Sequence, residues 1–230
     1  MRPQSGAAPN SDSLTERGRK IIRLTRARVV PVIVSLGAGL LLGLAGPIIG
    51  KWHNPVCVAA STALSSGWPW ACYAFLVGYF RRSKIESTLL APLGLAIDVV
   101  AYYLFKNMNP TIPAGMESGA SGGGQILVWG IAAFVFGAPV GLVGNVARTP
   151  GVGGLPFRLL VPLIAFFEAT QRLNTEADSQ GPVFAMTWNV TRAAACVVAV
   201  ALMGHTVWSR RVRRIRAAGR TEVAAPPRRR

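Results

Sequence analysis

The sequence predicts an all-α protein, a polytopic membrane helix bundle of about six transmembrane helices with both termini in the cytoplasm. Hydrophobic residues make up 51% of the 230 residues and charged residues only 15%, whereas soluble domains carry about 25% charged residues. The apolar residues form long runs, and about 20 apolar residues cross a bilayer. The basic residues flank these runs, as the positive-inside rule expects. The net charge of +16 therefore does not indicate nucleic acid as a partner.

Six apolar segments are candidate spans. They cover residues 29–50, 55–80, 88–105, 126–147, 159–173 and 183–208. Of the 25 basic residues, only Lys51, Lys106 and Arg172 fall in the outer loops that six spans create, and Arg192 falls within a span. An odd number of spans would destroy this asymmetry. We therefore predict one transmembrane domain over residues 29–208, in a multi-pass protein of the cell membrane.

The two chain ends are predicted to be basic cytoplasmic tails. Residues 1–28 are expected to be partly disordered, and residues 209–230 disordered. The run RGRKIIRL in the first tail is either a short basic helix on the inner leaflet or a disordered flank. The outer loop NPTIPAGMESGASGGGQ is expected to be flexible.

Two GxxxG motifs predict close helix packing. Gly39 and Gly43 form one in the first span, and Gly137 and Gly141 form one in the fourth. Small residues at this spacing let helix backbones approach closely. The contact is either within the bundle or between the subunits of a homo-oligomer.

Three ionisable residues lie inside predicted spans, where insertion of a charged group costs about 2.5–3.5 kcal/mol and such a group faces a cavity or a partner. Asp98 is near the middle of the third span and has no basic residue three or four positions away. Glu168 either pairs with Arg172, one turn further on, or faces inward. Arg192 needs an acidic partner. Asp98 is therefore expected either to pair with Arg192 or to be a protonated acid in an aromatic pocket.

Aromatic side chains concentrate in the outer half of the same spans. They include Trp68, Tyr102, Trp129, Phe136 and Trp188. An interfacial aromatic belt is one explanation. Aromatic faces also stabilise cations, so acids beside them in a dry pocket suit carbocation chemistry. On this hypothesis Asp98 and Glu168 are the catalytic acids, and the aromatic residues bind substrate together with Arg192.

Several kinds of catalytic motif are absent from the sequence. There is no aspartate-rich DDxxD cluster for a magnesium-bound diphosphate, and no P-loop, HExxH or GxSxG motif. The two histidines lie far apart, and the three cysteines form no CxxC pair. The sequence therefore predicts no metal site and no cofactor.

The chain resembles the small membrane-bound terpene cyclases of actinomycete indole-terpenoid pathways, and other actinobacterial membrane proteins of similar size. The resemblance covers the length, the several spans, the basic tails, the buried acids Asp98 and Glu168, and the Trp-rich outer half. It implies a metal-independent cyclase whose lipophilic prenylated substrate enters from the bilayer. Such an enzyme protonates an alkene or epoxide and folds the chain through carbocations.

Two other functions agree with the same residues. In a small proton-coupled transporter, Asp98 and Glu168 would carry protons rather than donate them to an alkene. In a non-catalytic membrane scaffold, Arg192 would pair with an acid only for assembly.

Overall fold

A computed structural model describes the backbone of residues 11–52, 54–109 and 122–223, with side chains for residues 29–52, 54–109, 123–151 and 153–212. All regular elements in this part are helices. They are α1 (Ser11–Ile49), α2 (Pro55–Leu64), α3 (Gly67–Phe80), α4 (Lys84–Met108), α5 (Gly122–Val146), α6 (Leu155–Thr175), α7 (Ala177–Gln180) and α8 (Pro182–Val223), with a 3-10 turn at Val152–Gly154. The predicted all-α membrane bundle is confirmed.

Four segments are long and apolar enough to cross a membrane. They are Val29–Ile49, Lys84–Met108, Gly123–Val146 and Pro182–Val212, which correspond to the first, third, fourth and sixth predicted spans. The fifth predicted span lies within α6, which is less apolar because it carries Arg158, Glu168 and Arg172. That α6 and the α2–α3 pair also cross the bilayer, and that both termini are cytoplasmic, stay predictions.

The second predicted span is not one helix, because the chain breaks between α2 and α3. Ser65 ends α2, and Ser66 has an extended backbone with φ −102° and ψ 174°. Serine and glycine are weak helix formers in a helix interior, and serine favours the position before a helix starts. Pro69 fits the first turn of α3, where a missing N–H costs nothing. The stretch SSGWPW thus stops one helix and starts the next.

Glycines bring the helices of the bundle into close contact. Gly39 and Gly43 of α1 lie against the backbones of Gly94 and Asp98 in α4, so that a Cβ at either glycine would overlap α4. Gly141 of α5 packs on α4 in the same way. The close helix packing predicted from the GxxxG motifs is confirmed within the bundle.

The core lies between α3, α4 and α5, with side chains of α1 packed against it. Its buried members are Tyr73, Ala74, Val77, Leu90, Ala91, Leu95 and Ala133. Large apolar side chains also cover the outward surface, for example Leu41, Val128 and Val197. A continuous apolar exterior is typical of a surface that contacts lipid. The protein is therefore associated with a lipid bilayer.

Both terminal helices continue into the basic segments. α1 begins at Ser11 and includes RGRKIIRL, and α8 ends at Val223. Disorder is predicted for residues 209–230, but the structure is helical over residues 209–223. The helix continues because alanine and arginine favour helix and because the preceding turns of α8 have already nucleated it. The described residues do not include residues 1–10 and 224–230 at the chain ends, nor residues 110–121 of the outer loop.

The bundle has two ends with different chemistry. At the distal end α1 and α4 finish and α5 and α8 begin, and Lys51 Nζ donates to Asn109 Oδ1 at 2.8 Å. The opposite, basic end holds Arg81, Arg148 and Arg158. The buried Arg81 side chain donates to the Pro31 carbonyl, and its own carbonyl accepts from Arg148 Nη1 at 3.0 Å.

Candidate functional site

A polar cleft of about 230 Å³ lies at the distal end, where the chain breaks between α2 and α3. We call it the Glu168 cleft. Its lining residues are Ser65, Ser66, Gly67, Trp70, Tyr102, Tyr103, Trp129, Glu168 and Arg172. The cleft is thus one polar space between four parts of the chain: the break between α2 and α3, the distal half of α4, the start of α5 and the distal half of α6.

Glu168 binds the exposed start of α3. Its Oε1 accepts the Gly67 N–H at 2.9 Å, and its Oε2 accepts the Trp68 N–H at 2.7 Å. The first N–H groups of a helix have no partner within the helix, and the helix dipole attracts negative charge to them. The Ser66 hydroxyl makes no capping hydrogen bond to α3 and donates instead to the Ala63 carbonyl at 2.6 Å. Glu168, from another helix, therefore performs the capping role.

Arg172 does not pair with Glu168, so that alternative from the sequence is wrong. Arg172 Nη1 contacts Glu176 Oε1 at 2.6 Å. The guanidinium carbon also lies 5.9 Å from the ring centre of Trp188. The ion pair stands at the rim of the cleft, with side chains 40% and 32% exposed. Glu168 itself faces inward.

An apolar groove of about 270 Å³ adjoins the cleft. We call it the Phe136 groove. It shares Gly67, Trp70 and Trp129 with the cleft and continues past Ile164 to Phe136. The rings of Trp70 and Trp129 meet edge to face, with centres 5.9 Å apart. Phe136 is 68% exposed on the apolar exterior. A polar and an apolar space therefore meet at one tryptophan pair.

The structure brings only some of the predicted site residues together. Tyr102, Trp129 and Glu168 line the cleft, and Phe136 lines the groove with Trp129. Trp188 is buried outside both linings, 5.9 Å from the Phe184 ring centre.

Trp68 contributes its backbone N–H to Glu168, but its side chain lines neither the cleft nor the groove. Trp70, two residues further on, lines both.

Asp98 lies outside the cleft and the groove. Its side chain is fully buried, and neither carboxyl oxygen has a hydrogen-bond partner among the described residues. Arg192 donates to Asn189 Oδ1 at 2.9 Å instead of pairing with an acid. The ion pair between Asp98 and Arg192 is therefore not formed. That Asp98 is a protonated acid in an aromatic pocket stays a prediction. The pairing of Arg192 with an acid, on which the scaffold hypothesis depended, is also missing among the described residues.

Sequence reasoning missed several lining residues. They are Ser65, Ser66, Gly67, Trp70, Tyr103 and Arg172. A signal for the first four exists, because serine followed by a proline near the first turn predicts a helix start inside the apolar segment. Hydropathy conceals that signal, since the flanking residues on both sides are apolar.

The donor set of the cleft suits hydrogen bonding and the stabilisation of positive charge. It offers the Glu168 carboxyl group, two phenols, two serine hydroxyls and the faces of Trp70 and Trp129, and the Arg172 guanidinium at its rim is paired with Glu176. Among the described residues, no three His, Cys, Asp or Glu side chains group closely enough to hold a metal ion.

The fold defines an integral helical-bundle membrane protein with a broken helix and a polar cleft at the break. Within that class, residues 22–226 match the family of unknown function DUF6518, and the chain belongs to this family. No curated protein and no solved structure matches the chain.

Proposed function

We propose that the protein binds a lipophilic small molecule with a polar head, which it takes up sideways from the cell membrane. One observation carries this proposal: the Glu168 cleft and the Phe136 groove share Gly67, Trp70 and Trp129. Together they reach the size of small-molecule sites, about 300–1,000 Å³. The head would occupy the cleft, and the tail would lie in the groove toward Phe136.

The cleft favours a head that donates hydrogen bonds. Each Glu168 oxygen accepts one backbone N–H and has a second lone pair for a ligand. Tyr102 and Tyr103 add phenol hydroxyls near the same space. A negatively charged head would be repelled by Glu168, whereas an indole N–H, a hydroxyl or an amine would be attracted. This chemistry fits a prenylated indole, with the ring in the cleft and the prenyl chain in the groove.

The reaction we propose is metal-independent cyclisation of that substrate. A proton adds to the alkene or epoxide of the prenyl unit nearest the indole, which would lie where the cleft and the groove meet. The resulting cation closes a ring, and a proton leaves a neighbouring carbon. The product is an isomer of the substrate. Trp70 and Trp129 offer ring faces that stabilise the cation. Glu168 is the one carboxyl among the described residues that line the two spaces. We assign both proton transfers to it: Glu168 takes up a proton from water, donates it to the alkene or epoxide, and then accepts the proton that leaves the carbon. We assign no step to Asp98.

The test uses the full chain in lipid nanodiscs, incubated in D₂O with farnesylated and geranylgeranylated indoles and their epoxides. We expect a product with a changed chromatographic retention. A product formed from an alkene should carry one carbon-bound deuterium in place of a hydrogen, whereas a product formed from an epoxide should carry deuterium only on its exchangeable hydroxyl. Glu168→Gln should abolish both products, because the amide neither donates nor accepts the transferred proton. Phe167→Leu is the control, since Phe167 is exposed beside Glu168 and lines neither space. Product formation that survives Glu168→Gln would contradict the mechanism.

A binding measurement separates the site from the reaction. Radiolabelled farnesylated indole should be retained by the wild-type chain and by Phe167→Leu. Trp129→Leu should weaken retention about tenfold, because a lost aromatic contact is worth about 1.4 kcal/mol. Retention without any product would refute cyclisation and leave binding in place. Equal retention by all three chains would refute the site.

A second candidate function is proton-coupled transport, supported by the broken α2–α3 pair. Transporters use discontinuous helices whose half-helix start faces an anionic group, and here Glu168 occupies that position at Gly67 and Trp68. A pH gradient across proteoliposomes should then drive accumulation of the labelled indole. Glu168→Gln should leave uptake independent of the gradient. Unchanged, gradient-driven uptake in Glu168→Gln would argue against a proton role.

A further inference from the structure

A second cavity, of about 180 Å³, lies at the basic end, remote from the Glu168 cleft. We call it the His205 cavity. It is lined by Pro150, Gly151, Arg158, His205, Thr206, Ser209 and Arg210. The walls come from the turn after α5, the start of α6 and the part of α8 that leaves the apolar segment.

The donors that line this cavity are cationic or neutral. Arg158, His205 and Arg210 bring nitrogen donors to one space, and Ser209 adds a hydroxyl. No carboxyl is among the described residues that line it. The Thr206 hydroxyl is already engaged, since it donates to the Leu202 carbonyl at 2.8 Å. An anion with several acceptor oxygens fits such a set.

Arg158 is held in place before any ligand arrives. Its Nε donates to the Ala147 carbonyl at 2.9 Å, and its Nη2 donates to the Thr149 carbonyl at 3.3 Å. A guanidinium has five N–H donors, so others remain to face the cavity. The neighbouring Gly151 has φ 91°, a left-handed conformation that favours glycine. A fixed guanidinium and a tight turn thus form one wall.

The cavity lies at the boundary of the apolar part of α8. The apolar run of α8 gives way to the basic run SRRVRRIR at Ser209, so Ser209 and Arg210 stand where the apolar part of the helix ends. Lipid phosphates occupy this depth of a membrane, and basic pockets between helices bind them. Soluble phosphates can reach the same depth from the aqueous side.

We propose that the His205 cavity binds a phosphate group, through Arg158, His205, Ser209 and Arg210. Three side chains with nitrogen donors, Arg158, His205 and Arg210, match the several oxygens of a phosphate better than the two oxygens of a carboxylate. The group belongs either to an anionic phospholipid or to a soluble phosphate. This site is independent of the Glu168 cleft and of the reaction proposed there.

The test uses the full chain in micelles of a maltoside detergent, which contains no phosphate, titrated separately with short-chain phosphatidylglycerol and with inorganic phosphate. Native mass spectrometry counts the bound molecules, and calorimetry gives the dissociation constant. The variant is His205→Gln with Arg210→Gln, which leaves Arg158 and its two carbonyl contacts intact. The matched control is Arg211→Gln, which removes the same charge one residue further along α8 from a side chain outside the cavity lining.

We expect one tightly held phosphatidylglycerol or phosphate per chain. The double variant should weaken binding at least tenfold, because each charge-assisted hydrogen bond contributes about a factor of ten. Arg211→Gln should stay within about twofold.

Binding of phosphatidylglycerol but not inorganic phosphate identifies a lipid site, and the reverse identifies a soluble phosphate. Equal loss in the double variant and in Arg211→Gln, or no loss in either, overturns the proposal, because binding would then follow overall charge.

Discussion

Glu168 and Arg158 both lie on α6, and each binds the backbone at the end of a neighbouring helix, one with a carboxyl group and the other with a guanidinium. Near the start of α6, Arg158 donates to the carbonyls of Ala147 and Thr149, which follow the end of α5. About 15 Å further along α6, at 1.5 Å per residue, Glu168 accepts the N–H groups at the start of α3. A cation thus meets a helix C-terminus and an anion meets a helix N-terminus, as the helix dipoles require.

The comparison explains why α6 is less apolar than its neighbours. The end groups of helices have no partner within their own helix, and buried ones need a partner from elsewhere in the protein. α6 supplies these partners for two helices that end beside it. The two caps differ in solvent access, since Ala147 is fully buried whereas Gly67 is exposed to the cleft. The Arg158 cap is therefore expected to be the more important for stability.

The largest expected effect tests the buried cap. Arg158→Leu leaves the Ala147 carbonyl without its donor, and we expect the free energy of unfolding to fall by about 3 kcal/mol. Denaturant titration of the full chain in micelles measures it. Arg82→Leu removes an exposed arginine at the same end and should change stability by about 0.5 kcal/mol or less. Equal effects would show that overall charge, rather than the cap, matters.

Glu168→Gln should have a smaller effect, about 2 kcal/mol. The amide keeps one acceptor oxygen and turns an NH₂ donor toward a backbone N–H, while water from the cleft partly replaces the lost bond. The Gly67 and Trp68 amides should exchange hydrogen faster. Glu86→Gln, an exposed acid in the first turn of α4, should cost less than about 1 kcal/mol. If amide exchange is unchanged in Glu168→Gln, the capping assignment fails.

Alanine substitutions at two glycines test how rigid the packing is at the basic end and at the distal end of the bundle. A Cβ on Gly144, toward the basic end, would overlap the Phe75 carbonyl, and one on Gly46, at the distal end, would overlap the Ser65 hydroxyl. Backbone cannot move aside as a hydroxyl can, so Gly144→Ala should destabilise by about 2 kcal/mol. Gly46→Ala should be near neutral, because alanine gains about 1 kcal/mol of helix propensity.

Thermal unfolding of both variants measures this difference. Gly37→Ala is the control, because a Cβ at Gly37 would meet open space. Gly37→Ala reports the gain in helix propensity alone. A Gly46→Ala loss as large as that of Gly144→Ala would mean that the distal end is as rigid as the basic end.

The smallest effect is expected at the rim of the cleft. Glu176→Gln removes the ion pair with Arg172, whose partners are both partly exposed. Exposed pairs contribute about 0–1 kcal/mol, and the effect should shrink further in high salt. Unfolding measured at low and at high salt tests this. A salt-independent loss above 1 kcal/mol would show that the pair supports the cleft structurally.

Predictability from the sequence differed between residues of the same site. Trp129 and Tyr102 were identified because aromatic side chains cluster in one half of the spans, and an inward-facing Glu168 was one of two alternatives. The polarity of Asp98 in an apolar run singles it out in the sequence, but only the packing shows that it lines neither the cleft nor the groove. Helical spacing shows which neighbours share a face, but does not show which helix packs on that face. The Arg158 and Arg81 contacts were missed because both residues were counted only as loop charges.

The sequence by itself determined the membrane class, the all-α fold and four spans, because the bilayer constrains each segment locally through length and hydropathy. It did not determine what the charged groups bind. Glu168 and its partner Trp68 are 100 residues apart, and their contact depends on how α3 and α6 pack. Tertiary structure alone decided that Glu168 caps a broken helix beside an amphipathic space, and that Asp98 lies apart from it. Long-range packing brings those groups together, and no local pattern encodes it.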